Sequence, residues 1–386
     1  MSIRLTLFRQ ILDDLASAQI SSWYHDAMPL IALHSSYPNS LPLLHAMVKS
    51  PATSKEEKIG IFEQMRKLSP TNITAMDEYA FLLARTGKSP CPAPVSQALS
   101  SLSYELLRVS AASPIPWTAM ALFIISPLAP LNPLTMLPSL QYPEVANVPP
   151  QQNFCPPRHT VDSTQDGEQV ALALSFVEKS LALSPTPTAF LVRAQILLRS
   201  PGRERDALVS LKKCAASSPP DSLREALAQG TVTCLLKLNL HREALASARS
   251  TEAVELVGIC MSHMGAKYRA KAKEELREGL GAGGVVAGLC LAQLFIAEGL
   301  ADESREVLQN CMGAGYDWWV HTKLGVVSVL AEQLDDALTH YHTAIATDGA
   351  EIASEEAREG LELLEKGDEG EGEENGDMDM EDEEGY

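Results

Sequence analysis

The sequence predicts an all-α chain, an α-solenoid of helical hairpins stacked in series, and three observations carry that prediction. A small residue recurs at Ala337, Ser304, Ala272, Ala244, Ala207 and Ala173, which divides 164 residues into five steps of about 33. A second series, Gly325, Ala292, Cys260, Val232, Ala194 and Ala121, runs ahead of the first, with β-branched Val232 its poorest match. Apolar residues at helical spacing, such as Leu289, Leu291, Leu294 and Phe295, surround both series. Aromatics make up only 5 % of the chain, and the alanine and leucine that dominate suit close helix packing better than a β-rich core.

The period has a physical reason. Residues 317–350, DWWVHTKLGVVSVLAEQLDDALTHYHTAIATDGA, read as two antiparallel helices with Leu324 and Gly325 on the first and Ala337, Tyr341 and Ala344 on the second. This is the tetratricopeptide pattern, in which small residues sit where the helices cross. A larger side chain there would force the backbones apart. One such unit cannot bury its own apolar face, so the repetition itself gives the motif weight.

From the N-terminus, MSIRLTLFRQILDDLASAQ predicts an amphipathic repeat helix whose Asp13 and Asp14 argue against a secretory or mitochondrial leader. Residues 40–70 close with a second-type helix, KIGIFEQMRKLSP, stopped by Ser69-Pro70. Residues 73–88 predict a first-type helix with Ala80 at the small position and Gly87 at its end. Its partner, Val95 to Ser110, has Leu99 where alanine is usual, which predicts a wider crossing. The step of 37 residues before Ala244 predicts a lengthened turn, and the step of 28 after it a shortened unit.

Residues 126–165 interrupt one repeat, whose first helix carries Trp117 and Ala121 and whose second carries Ala173, Val177 and Pro185. Nine prolines between Ser126 and Arg158 exclude a persistent helix or central strand. No charge occurs between Arg108 and Glu144, yet the unbroken apolar run Ala119 to Ile125 is far shorter than the ~20 residues a bilayer requires. The segment reads as a disordered insert or as a translated intron.

The predicted organisation is therefore repeats over 1–125, the insert over 126–165, repeats over 166–351, a capping helix over 352–366 and an acidic disordered tail over 367–386. The cap IASEEAREGLELLEK aligns Ala353, Ala357, Leu361 and Leu364 on one side.

The net charge of −19 is concentrated at the C-terminus: Glu365 to Tyr386 holds 12 acids and one lysine, leaving a body with 38 acidic and 30 basic residues. Such a tail has too little apolar surface to order by itself, and its reading is solubility or docking to a basic partner. A mildly acidic body without a basic stripe excludes nucleic acid as a direct partner. The seven cysteines, at 91, 155, 214, 234, 260, 290 and 311, form no CxxC and read as buried thiols of a reducing compartment.

No catalytic, cofactor-binding or metal-binding residue is expected, and no cofactor. His340 and His342 are two apart on a helix and point different ways, while His321 and His263 read as single packing residues. Gly279, Gly281, Gly283 and Gly284 read as a link that bends the repeat stack, since neither a preceding strand nor a Gly-Lys-Ser/Thr makes a phosphate loop. Trp318 and Trp319 read first as helix packing and second as a partner contact.

Several stretches, taken together and in order, resemble subunit 7 of the anaphase-promoting complex, a tetratricopeptide scaffold family of a ubiquitin ligase. They are Phe62-Glu63-Gln64 with Leu68-x-Pro70, MDEYAFLLARTGK at 76–88, Pro116-Trp117, Asp336-Ala337…Tyr341…Ala344-Ile345, and Glu359-Gly360-Leu361…Leu364-Glu365-Lys366 before the acidic tail. The resemblance implies a non-catalytic subunit of a complex that controls mitotic progression, found in nucleus and cytoplasm. Its expected partners are other tetratricopeptide subunits of that complex, with no nucleic acid and no membrane. The family has further repeats before the region that matches residue 1, and these resemble the part through which such subunits self-pair, so homodimer formation stays open.

The alternative is a tetratricopeptide co-chaperone or other adaptor that grips partner peptides. A carboxylate clamp needs lysine and asparagine one turn apart on a first helix. The pairs here, Asp77/Phe81, Thr118/Leu122, Leu191/Gln195, Gln229/Thr233, Val257/Met261, Leu289/Gln293 and Thr322/Val326, do not supply it.

Overall fold

The computed structural model describes residues 34–50, 53–86, 93–125, 136–138, 163–251, 253–313, 316–347 and 355–370. The expected N-terminal helix, most of the insert, the glycine at 87, Cys91, Cys155, Ala353 and the tail beyond residue 370 lie outside them. Among the described residues the regular structure is helical throughout, as the repeat predicts, and the helices pack as tetratricopeptide hairpins in chain order. The chain divides into two compact units, Met1–Leu131 with Thr164–Leu240, and Asn132–Ser163 with His241–Tyr386. α5 and α6, on either side of the insert, pair in the first unit as the two helices of the interrupted repeat.

The first unit contains α1 (Leu41–Lys49), α2 (Lys55–Leu68), α3 (Met76–Thr86), α4 (Ala93–Ser110), α5 (Pro114–Ile125), α6 (Ser163–Leu183), α7 (Pro187–Leu197), α8 (Glu204–Ala216) and α9 (Asp221–Lys237). Ser54 opens α2 with a capping box: its hydroxyl accepts the Glu57 N–H at 3.2 Å, and Glu57 Oε2 accepts the Ser54 N–H at 2.9 Å. Helix α3 starts at Met76 instead of residue 73. Asn72 Oδ1 takes the Thr74 N–H at 3.0 Å, and Ala75 has φ +61°, so the chain turns before it coils. Thr186 caps α7 ahead of Pro187, whose missing N–H costs nothing at a first helical position.

The interrupted repeat is closed by side chains. Trp117 stacks on Phe176 at 5.7 Å, Lys179 Nζ sits 3.4 Å above the indole, and the Thr118 and Ser180 hydroxyls meet at 2.8 Å. The predicted small positions Ala121, Ala173, Ala194 and Ala207 are all fully buried. The step of 37 residues comes from α9, a 17-residue first helix, and not from a long turn. Helix α9 ends in a tight turn at Leu238–Leu240: Asn239 takes φ +58° and the Leu240 N–H reaches the Leu235 carbonyl at 2.8 Å.

The second unit contains α10 (His241–Ser250), α11 (Val254–Ser262), a 3-10 turn (Ala266–Tyr268), α12 (Arg269–Gly281), α13 (Val285–Ala297), α14 (Ala301–Asn310), α15 (Asp317–Leu330), α16 (Leu334–Thr347) and α17 (Glu355–Gly370). The unit expected to be short owes its size to α11, which has nine residues. The same tight turn recurs here. Gly299 and Glu332 take φ +74° and +58°, and the next N–H closes on Phe295 and Ser328 at 3.0 and 2.8 Å. Ser304, at a predicted small position, also donates to the Ala292 carbonyl at 3.2 Å, tying the two helices of its repeat at their crossing.

Two expectations about this unit are corrected. Gly279 and Gly281 belong to α12, and a Cβ on Gly279 would stand 3.1 Å from the Ala287 methyl, so that glycine allows a helix contact. The link itself is Gly283, with φ +89°, and Gly284, where a Cβ would stand 2.9 Å from the Gly279 carbonyl oxygen. The cap α17 runs to Gly370, past the expected end at Lys366, with Ala357, Leu361 and Leu364 buried as predicted.

Candidate interaction surfaces

Sequence reasoning named no catalytic or binding residue, so the surfaces are built from the helices outward. The first-helix positions that a peptide clamp would use are occupied by packing: Phe81, Leu122, Leu191, Leu289 and Val326 are buried, and Thr118 is held by Ser180. Asp77 and Glu78 are buried on α3. Burial pushes both carboxyls up, against the pull of hydrogen bonds from Thr188 to Asp77 and from Ser222 to Glu78. Within this unit α9 is tied back to α2 and α3: Lys55 Nζ meets Glu225 at 2.6 Å, and Arg85 donates to Gln229 at 3.1 Å. These polar groups serve internal contacts between helices distant in sequence.

A cavity of about 400 Å³ lies among α6, α7 and α8, bounded by Glu178, Phe190, Arg193, Asp206, Val209 and Lys213. Arg193 is already committed, donating to Glu178 and to Ser210 at 2.6 Å each. The outer helices are more suggestive. Tyr104 and Val109 on α4, Leu172 and Leu183 on α6, and Val209 on α8 are exposed large apolar residues on successive second-type helices. Val109 and Leu183 share one register, each ten residues past its small position, Leu99 or Ala173. Exposed apolar side chains repeated in register are what a flat protein partner can cover.

In the second unit the structure brings together histidines that the sequence left single. His321 and His340 place their Nδ1 atoms 3.2 Å apart, and His263 stacks on His241 at 5.7 Å. Burial lowers the pKa of His263, His321 and His340 alike, with the neighbouring histidine adding to the effect at His263 and His340. Each pair joins residues 19 or 22 apart, which one-helix spacing rules do not address. Among the described residues no group of three histidine, cysteine or acidic side chains could hold a metal. The described cysteines 214, 234, 260, 290 and 311 are buried. Desolvation pushes Cys214 and Cys311 up to about 11 and Cys234, Cys260 and Cys290 to about 12, so they stay thiols at neutral pH. Trp319 is a core residue, with Lys323 Nζ 5.5 Å from its ring. No helix of the described residues is long and apolar enough to cross a membrane.

No family model matches the chain. It is 26 % identical over 357 residues to anaphase-promoting complex subunit 7 of Arabidopsis thaliana, covering 89 % of this chain and 54 % of that one. It also matches the crystal structure of the APC/C hetero-tetramer Cut9–Hcn1 with TM-score 0.60 at 13 % identity, over 93 % of this chain and 58 % of the other. That second likeness speaks for the fold alone. The chain thus spans about half the length of the relatives it matches. Its described helices have the tetratricopeptide fold, and the chain is similar in sequence to subunit 7 of the anaphase-promoting complex.

Proposed function

We propose that the protein is a non-catalytic scaffold subunit of the anaphase-promoting complex, acting by protein–protein contact with other tetratricopeptide subunits in nucleus and cytoplasm. The observation that carries this reading is the collinear similarity to subunit 7 over 89 % of the chain. The physical form suits the role, because stacked hairpins present long rigid faces on which partners read shape and apolar register. The exposed apolar residues of α4, α6 and α8 are the first surface to test. Nucleic acid is not a partner in this reading, since the chain's net charge is −19.

Affinity capture of the tagged full chain from dividing cells, followed by mass spectrometry, should recover ligase subunits at near-stoichiometric yield. Tyr104→Asp with Leu172→Asp should cut that recovery severalfold while leaving the circular dichroism unchanged. Capture of heat-shock chaperones without ligase subunits would replace the scaffold with the adaptor reading.

A further inference from the structure

Met136, Leu137 and Pro138 lie inside the segment that the prolines mark as unable to hold regular structure, yet they are packed in the second unit. Met136 is only 5 % exposed, Pro138 is buried, and Leu137 packs against the cluster that contains Leu289, Ile296 and Trp319. The Met136 carbonyl accepts a hydrogen bond from His263 Nε2 at 2.7 Å. His263 is the residue that ends α11, and its ring is fixed by stacking on His241. A carbonyl can only accept, so the ring proton is on Nε2.

A side chain that holds a main-chain carbonyl, with neighbouring apolar side chains sunk in a cluster, is how a protein grips a short peptide.

We propose that Met136-Leu137-Pro138 is a resident peptide ligand of the second unit, and that its face receives an uncharged Leu-Pro-containing segment of a partner protein when the resident segment is displaced. This deepens the scaffold reading and rests on it for the partner's identity. The anchoring contact is main-chain, so it tolerates changes of sequence. The apolar cluster selects against charge, in keeping with the absence of any charged residue between Arg108 and Glu144.

The test uses the full chain and a fluorescent synthetic peptide of residues 131–141, followed by anisotropy. The double variant Met136→Asp/Leu137→Asp vacates the face and should bind the peptide at least tenfold more tightly than wild type, whose face is filled. Adding His263→Ala should weaken that binding about tenfold, the size expected for one lost hydrogen bond of roughly 1.4 kcal/mol. A peptide carrying the same two aspartates should not bind. Where the aspartate variant unfolds by circular dichroism, Met136→Ala/Leu137→Ala takes its place. Equal binding by wild type and a folded vacated variant overturns the proposal, as does equal binding of the aspartate peptide. A concentration-dependent dimer of wild type that the double variant abolishes places the segment on a second copy and overturns residence within one chain. Co-capture of ligase subunits reads the scaffold function separately, so the two ideas fail by different results.

Discussion

Tyr341 is held between two glycines. A Cβ on Gly325 of α15 would run into its ring, and a Cβ on Gly360 of α17 would come within 2.5 Å of Tyr341 Cζ. Both neighbours are packed helices, so the ring cannot move aside cheaply. Gly325→Ala should therefore destabilise the second unit by about 1–3 kcal/mol, read as a lower midpoint in urea. Gly60→Ala is the control: the residue is exposed within α2 with nothing near its Cβ position, and the change should stabilise by about 0.5–1 kcal/mol. Asp77 gives a pH signature. Its folded pKa lies above the ordinary 3.8, so its contribution is greatest below that value and is lost as pH rises through the folded pKa. Asp77→Asn should raise the melting temperature at pH 7 by a few degrees and give no gain near pH 3.5. A loss at pH 7 would mean that the ionised carboxylate is used. Size at a crossing is a property of one residue type, which is why the small positions were legible in the sequence. The histidine pairs were not, because each is assembled from two helices.

Helix α17 is tied to α15 by an ion pair removed from water. Lys323 Nζ meets Glu356 Oε1 and Oε2 at 2.5 and 2.7 Å, and the lysine side chain is 2 % exposed. Removing Glu356 takes two charge-assisted hydrogen bonds from a buried ammonium. Glu356→Ala should cost about 3 kcal/mol in urea unfolding, and Lys323→Met/Glu356→Leu should recover most of it. Little recovery by the double change would show that the pair does more than neutralise charge. Elements were legible where periodicity was long: the amphipathic cap, the cut at Pro70 and the hairpins after Ala173 stand where the pattern put them. Boundaries were less legible. The start of α3 is decided by an Asn72 turn and a left-handed Ala75, and the 17 residues of α9 absorb the irregular step. Spacing between small positions cannot tell a longer helix from a longer turn.

On the scale of the molecule, serial stacking was legible because nearest-neighbour packing follows chain order. The pairing of the helices on either side of residues 126–165 was legible as well, because the small positions Ala121 and Ala173 keep the repeat register across the insert. The similarity to subunit 7 was legible only as a run of short stretches in the same order, since no single motif carries it. The Trp117–Phe176 contact has a consequence for biosynthesis. Its two rings are separated by about 60 residues, and ribosomes add roughly 5–20 residues per second. For about 3–12 s each nascent chain therefore carries a bare indole flank on α5 while its counterpart is still untranslated. Slow codons in that stretch would lengthen the exposure and raise the fraction of chains lost to aggregation during synthesis.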